Sequence, residues 1–304
     1  MTLYLMQGAI EEGFIYAFVA LGLFISYKIL KIADMTTDGT FVLGAAVSSR
    51  FIMNGNPFLG LIFAILAGMF AGLITAFLQT KLKIQSILAG IITMTGLYSV
   101  NLFVQGGLPN LFYNNEKTIF SMGKNLFGNY SVLIILLFVC IITAAVLIYF
   151  FATQIGLSVR ATGDNNKMIE ASSINPFYTI SVGLAMSNGL VALSGALLSQ
   201  KTTQGDINIG TGVVVMGLAS IVIGTSIFRS SKIYVGIIGA IIGSIIYRLI
   251  FTIAIKYTSD VGYLKIVTAA ILTVFISYPM IKSNISQRKE LTKRNKRNGR
   301  SRNA

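Results

Sequence analysis

Five carboxylates stand where an apolar chain has the most reason to avoid them. Asp34 and Asp38 flank a glycine-interrupted stretch, and Asp206 opens another. Asp164 and Glu170 lie with Arg160 and Lys167 in GLSVRATGDNNKMIEASSIN (156–175), between two of the oiliest stretches of the chain. Ionisable groups near a membrane need partners or water, and they mark solute pathways by default. The chemistry on offer is the lining of a route for a polar solute: Asp34, Thr37, Asp38 and Asp206, joined by Tyr98 and Asn101 of ITMTGLYSVN and by Asn188. Thr93, Thr95 and Ser187 read instead as helix–helix hydrogen-bonding groups. Bond-breaking chemistry finds no support. The sequence has no histidine, no GxxxxGK[ST], no GxSxG and no HExxH, so a hydrolase would have to be built from scattered aspartates. Cys140 is the single cysteine, so neither an internal disulfide nor a Cys/His zinc site is available and no metal is expected.

Composition says what holds these residues. Charged residues make up 11% of the chain and its mean hydropathy is +0.76, whereas soluble domains carry about 25% charged residues. Segment 130–152 contains no charge; as a helix it would be roughly 34 Å long, enough to cross a hydrocarbon core of ~30 Å. Long continuous apolar runs favour helices over a closed barrel. The expected fold is all-α, a polytopic membrane protein with about nine spans at 13–30, 37–53, 57–79, 86–105, 130–152, 177–199, 211–228, 233–255 and 261–281. The N-terminus lacks a basic region, so no cleaved signal peptide is expected.

The tail after Met280 carries nine basic residues and one acid, and basic flanks favour the cytoplasmic side. Alternating back from it puts Lys28/Lys31, Lys81/Lys83, Arg160/Lys167 and Arg229/Lys232 inside. A membrane domain over 1–281 and a basic, disordered, lipid-facing tail over 282–304 follow, with no nucleic-acid role for the tail. On this topology 154–176 is cytoplasmic. Asp164 reads as the N-cap of a short amphipathic helix that Pro176 stops; a plain interfacial loop helix is the simpler alternative.

Two stretches resemble each other, ADMTTDGTFVLGAA (33–46) and GDINIGTGVVVMGLA (205–219). With one inserted residue Asp34 aligns with Asp206, Gly39 with Gly212, Gly44 with Gly217 and Ala46 with Ala219. Entering from opposite sides, they suggest an inverted repeat, whose interrupted segments point to the substrate route. Gly68/Gly72 and Gly239/Gly243 allow close helix approach, within one subunit or across a dimer. Arg248 is expected to pair with one of the aspartates.

Four motifs in order carry a family resemblance: LKIADMTTDGTFVLGAAV (30–47), LAGIITMTGLYSVNL (88–102), QIGLSVRATGDNNKMIEASSIN (154–175) and MSNGLVALSGALLSQ (186–200). Together they resemble the permease subunits of ABC importers in the branched-chain amino acid/ribose permease superfamily, within it the tryptophan/tyrosine type. The resemblance spans roughly residues 13–275. It departs at VQGGLPNLFYNN (104–115), which replaces a more basic outer loop.

That resemblance implies that 154–176 couples the spans to a cytoplasmic P-loop ATPase, through Arg160, Gly163, Asp164, Asn165, Met168, Glu170 and Ala171. It implies no cofactor on this chain, with ATP-Mg in the partner ATPase, and an extracytoplasmic substrate-binding lipoprotein. It also implies a second permease copy, surrounding membrane lipids, and a bacterial plasma membrane location with a cytoplasmic C-terminus. Aromatic amino acids are the implied cargo; nucleosides or sugars share the scaffold. An ion-gradient-driven secondary transporter, a channel or an exporter fits the composition as well.

Overall fold

The computed structural model describes residues 3–256 apart from 115, 166–168, 170, 173, 229 and 231, together with 269, 270, 273 and 277. The chain divides into a compact body, Met1–Thr252, and a second unit, Ile253–Ala304, few of whose residues are described. The tail 282–304 lies outside the described residues, as does nearly all of the expected ninth span.

The body is helical. Helix α1 (Leu3–Leu23) continues into a π-helical stretch, Phe24–Ile29. Then come α2 (Thr36–Met53), α3 (Pro57–Thr80), α4 (Ser86–Val104), α5 (Ile119–Phe127) and α6 (Ser131–Ala152). They are followed by α7 (Gln154–Asp164), α8 (Pro176–Thr202), α9 (Val213–Ile227) and α10 (Ile233–Lys256). Among the described residues six helical stretches are long and apolar enough to cross a membrane: Tyr4–Ile29, α3, α4, Gly128–Ala152, α8 and α10. The protein is an all-α, multi-pass membrane protein. Helix α2 is more polar than these and α9 is shorter, but both fall where apolar segments are expected.

The centre is α8, buried on nearly all sides, packed on α2, α1 and α3. Small residues make this possible. A Cβ on Gly44 of α2 would run into the Ala192 carbonyl, and one on Gly195 of α8 into the Phe41 carbonyl. The two backbones therefore touch without side chains between them, as membrane helices do when small residues line the contact. Gly68 and Gly72 meet the α8 carbonyls of Asn188 and Leu184, while Gly239 and Gly243 meet Gly224 and Ser220 of α9. Both glycine pairs pack helices of one chain. Around this centre α6 buries the stripe Leu136, Cys140, Leu147 and Phe151, with Ser131 at its start, and leaves Phe138, Ile141, Val146 and Tyr149 exposed, which suits lipid.

Three features depart from the sequence reading. Asp164 ends a helix rather than starting one, because the Thr153 hydroxyl already accepts from Gly156 N (3.3 Å) and caps α7 eleven residues earlier. Pro176 occupies the first turn of α8, where its missing N–H costs nothing, and Asn175 caps it. Between the spans, Asn110–Phe112 (β1) pairs antiparallel with Gln204–Asp206 (β2), Leu111 opposite Gly205. This clasp ties the 104–115 loop to the segment before α9.

Among the described residues Arg248 pairs with no aspartate. Its guanidinium reaches Glu12 of α1 and lies over the rings of Tyr16 (5.1 Å) and Phe251 (4.9 Å), while Glu11 pairs with Lys201 at 3.1 Å. The α1–α10 contact brings Glu12 to Arg248 before any aspartate can. Only 15% of the Arg248 side chain is exposed, so Glu12→Gln leaves a buried cation unpaired. The expected loss is about 3 kcal/mol, read as a lowered unfolding temperature in detergent and partly restored by Glu12→Gln/Arg248→Met.

Candidate functional site: a polar layer between two cavities

Between the π-helical stretch and α2 the backbone leaves helical geometry for six residues, and Asp34 sits there, 3% exposed. One carboxylate oxygen accepts from Thr36 N (2.9 Å) at the start of α2; the other accepts from Asn188 Nδ2 (2.7 Å) of α8. Asn188 Oδ1 accepts from Thr40 Oγ1 (2.8 Å). Thr37 Oγ1 donates to the Asp34 carbonyl (3.3 Å). The network continues across α3 to α4: the Thr36 and Thr75 hydroxyls meet at 2.8 Å, and Thr75 donates to Thr93 at 3.1 Å. A buried polar group without a partner costs roughly 1–3 kcal/mol. Here the groups satisfy one another, so the layer is closed and mutually dependent.

A cavity lies on each side of it. One turn beyond Asp34, a cavity of about 370 Å³ is lined by Asp38, Met94, Tyr98, Asn101, Ile207 and Asn208 among others. Asn101 Nδ2 donates to the Gly39 carbonyl (3.1 Å), which leaves Asn101 Oδ1 buried without a hydrogen bond. Asp38 is committed elsewhere: its carboxylate accepts from Gly212 N (3.1 Å) and Val214 N (2.8 Å), capping α9 from α2. On the other side, one turn beyond Thr75, a cavity of about 730 Å³ is bounded by Gln79, Lys81, Gln85, Lys31, Thr162 and Asn175, among others.

Two of the expected pathway residues thus meet directly, Asp34 with Asn188, and Thr37 flanks them. Asp38, Tyr98 and Asn101 share the smaller cavity. Asp206 stands apart from both groups, in β2, accepting from Asn208 N (2.8 Å). Thr93 does hydrogen-bond between helices, and Ser187 donates to the Gly22 carbonyl (2.7 Å); Thr95 bonds only within α4. The layer residues Thr36, Thr40 and Thr75 and the cavity acceptor Asn101 Oδ1 complete the site. The threonines carried no sequence signal beyond a hydroxyl in an apolar helix.

Helix α7 grips this assembly from the larger cavity's side. Gly163 has no room for a Cβ against the Ile29 carbonyl, Val159 is buried, and Thr162 Oγ1 donates to Thr179 Oγ1 (2.8 Å) in the first turn of α8. Lys31 Nζ donates to Asp164 at 2.9 Å, both groups exposed. Lys31, and to a lesser degree Arg160, hold the Asp164 carboxyl below the usual range. Its titration is expected to the acid side of ~3.9. Lys31→Ala moves it back up, which carbon NMR of labelled aspartate reads. Arg160 and Asn165 are exposed, as is Ala171, while Met168 and Glu170 lie outside the described residues.

Residues 6–277 match the family described as "Branched-chain amino acid transport system / permease component". A "Tyrosine transport system permease protein" of Clostridioides difficile is 35% identical over 277 residues, 90% of this chain and 91% of the relative. "Uncharacterized protein RP368" of Rickettsia prowazekii is 37% identical over 88% of this chain and 95% of its own. The "Ribose import permease protein RbsC" of Haemophilus influenzae is 25% identical over 79% and 73% respectively. No solved structure matches. A multi-pass helical body with a polar layer at its centre and this match along nearly its whole length place the chain in the branched-chain amino acid/ribose permease family, as an ABC transporter permease.

Proposed function

We propose that the chain is the translocating subunit of an ATP-driven importer for amino acids, aromatic ones first, passing cargo from an extracytoplasmic binding lipoprotein to the cytoplasm. The end bearing Lys31, Lys81 and Arg160 is the cytoplasmic one in the bacterial plasma membrane, by the excess of basic residues. ATP-Mg binds and is hydrolysed in a separate P-loop ATPase, since no P-loop occurs in this sequence. A second copy seats against the outward face of α4, where Thr95, Tyr98 and Ser99 interrupt an otherwise apolar surface.

The observation that carries this reading is how α7 is fastened. It holds Ile29 and Lys31 on one side and Thr179 on the other. Asp34 follows Lys31 by three residues, and Asn188 lies nine residues along α8 from Thr179. Movement of α7 by a docked ATPase therefore pulls on both chain segments that supply the Asp34–Asn188 bond. Alternating access needs two states with different contacts, and opening this layer joins the outer cavity to the inner one. The outer cavity is of small-molecule size, about 370 Å³ in a range of roughly 300–1,000 Å³. Its walls combine Met94 and Tyr98 with the free Asn101 acceptor, which suits a zwitterion with an apolar side chain. The relative named for tyrosine transport supports that cargo class.

The test is uptake of labelled tyrosine into proteoliposomes holding the permease with its co-purified ATPase and binding protein. Uptake is expected to require ATP. Asp164→Ala/Glu170→Ala should lower it severalfold while tyrosine binding to the binding protein stays intact. Uptake driven by an ion gradient without any ATPase sinks this reading in favour of a secondary transporter. Undiminished uptake in the well-expressed double variant removes α7 from the coupling role.

A further inference from the structure

A third cavity, of about 380 Å³, opens beside α7; it shares Arg160 and Asp164 with the proposed coupling surface, and the transport reading gives it no ligand. Three cations from three separate elements line it: Lys28 of the π-helical stretch, Arg160 of α7 and Lys232 just before α10. Its one carboxylate, Asp164, is already engaged by Lys31 at 2.9 Å. Among the described residues Lys28, Arg160 and Lys232 have no carboxylate within ion-pair distance. The opposite wall is apolar, with Phe24 and Phe228. The cavity lies at a membrane boundary, because the first span ends at Ile29 and the last described one starts at Ile233.

We propose that this cavity binds the phosphate headgroup of an anionic phospholipid. Three cations against one carboxylate, itself engaged by Lys31, leave one concavity with an excess of positive charge that favours a phosphate, and basic pockets between membrane helices on the cytoplasmic side suit anionic headgroups. The apolar lining and the membrane-edge position select an amphiphile over a soluble phosphate, since an acyl chain covers the exposed Phe228 where a free ion leaves it bare. The site is preorganised. Gly163 against the Ile29 carbonyl and Gly236 against the Phe24 ring fix α7 and α10 relative to the π-helical stretch, so the backbones that carry the three cations are held near one another before any ligand arrives. Because Arg160 also belongs to the proposed coupling helix, bound lipid steadies α7, and that consequence rests on the transport reading; the binding itself does not.

The experiment uses the full-length protein in neutral detergent, with native mass spectrometry reporting retained lipid. Phosphatidylglycerol is compared with phosphatidylcholine of the same acyl chains, and with inorganic phosphate and glycerol phosphate. One phosphatidylglycerol per chain is expected to be held in preference to phosphatidylcholine. Lys28→Gln/Lys232→Gln should weaken it by about tenfold or more, as expected for two cations near the headgroup. Lys117→Gln/Lys124→Gln, with the same charge change elsewhere, should leave it unchanged. Equal thermal unfolding of both double variants in phosphatidylcholine shows that folding is not the cause. Equal retention by the two double variants, or no preference over phosphatidylcholine, overturns the proposal. So does equally strong binding of the soluble phosphates, which makes the site one for a free anion. Displacement of the lipid by bound ATPase also overturns it and assigns the cavity to that partner.

Discussion

Asp34→Ala is expected to lower ATP-dependent uptake by about tenfold or more, whereas Asp34→Asn keeps most of it. Alanine leaves Thr36 N and one Asn188 N–H in the buried layer without their acceptor, a cost of roughly 1–3 kcal/mol for each group. The closed state that separates the two cavities loses that much of its preference, and a two-state transporter with a few kcal/mol between states cannot absorb the change. Asparagine at position 34 still offers a carbonyl to Thr36 N. Its new amide N–H₂ faces Asn188, which can turn its side chain over and accept, at the cost of the bond its own Nδ2 makes to the Leu184 carbonyl (3.1 Å). Thr40 then accepts from Asn188 and donates to the Thr36 carbonyl, already 3.0 Å away. Hydrogen bonding is thereby separated from charge. Proteoliposome uptake with thermal unfolding on the same preparations decides the matter. Equal inactivity of both variants means that the negative charge itself is needed, and full activity of the alanine variant means that the layer does not gate.

Gly195→Leu is expected to prevent accumulation of folded protein. Its side chain would have to pass through the Phe41 carbonyl of α2, and from the other direction Gly44 leaves the Ala192 carbonyl no slack. Overpacking a well-packed core costs typically 1–3 kcal/mol, more where backbone is struck, and here two backbones would have to separate along the central contact. Gly195→Ala is expected to fold with a clearly lowered unfolding temperature. Gly96→Ala in α4, where a Cβ meets nothing within 4 Å, gains helix propensity of up to about 1 kcal/mol and should be neutral or stabilising. Size-exclusion profiles and thermal unfolding of the three variants give the ranking; a leucine variant as stable as the parent removes the α2–α8 contact from the account.

How much of this is legible in the sequence depends on the range of the interaction. Continuous apolar runs locate eight helices because each must satisfy its own backbone within the bilayer. Gly68, Gly72, Gly239 and Gly243 are legible as close-approach positions; which helix they approach is not, because spacing within one helix carries no address for a partner, whether in the preceding helix, as for Gly239 and Gly243, or more than a hundred residues away, as for Gly68 and Gly72. Arg248 illustrates the same gap: its charge demands a partner, and only the α1–α10 packing supplies Glu12. The clasp of Asn110–Phe112 with Gln204–Asp206 is invisible to pattern, since three-residue strands are too short to alternate. Asp164 reads locally as a good N-cap, but Thr153 starts the helix first. Asp34, Asp38 and Asp206 are legible as candidates because any carboxylate in so apolar a chain needs an explanation. Their roles diverge with tertiary contacts: Asp34 holds Asn188, Asp38 caps α9, and Asp206 secures a turn.

The cap that Asp38 places on α9 has a thermodynamic corollary. Asp38 lines the outer cavity, and each of its oxygens already answers one backbone N–H group, of Gly212 or Val214. A cationic guest that drew on the remaining lone pairs would withdraw electron density from the bonds at the helix terminus. Cargo and helix thus share one acceptor, and by linkage any free energy the guest takes from those bonds is lost to α9. An ammonium that settles instead on Asn101 Oδ1 leaves the terminus untouched. The choice between those two acceptors sets whether an occupied cavity is also a mechanically altered one.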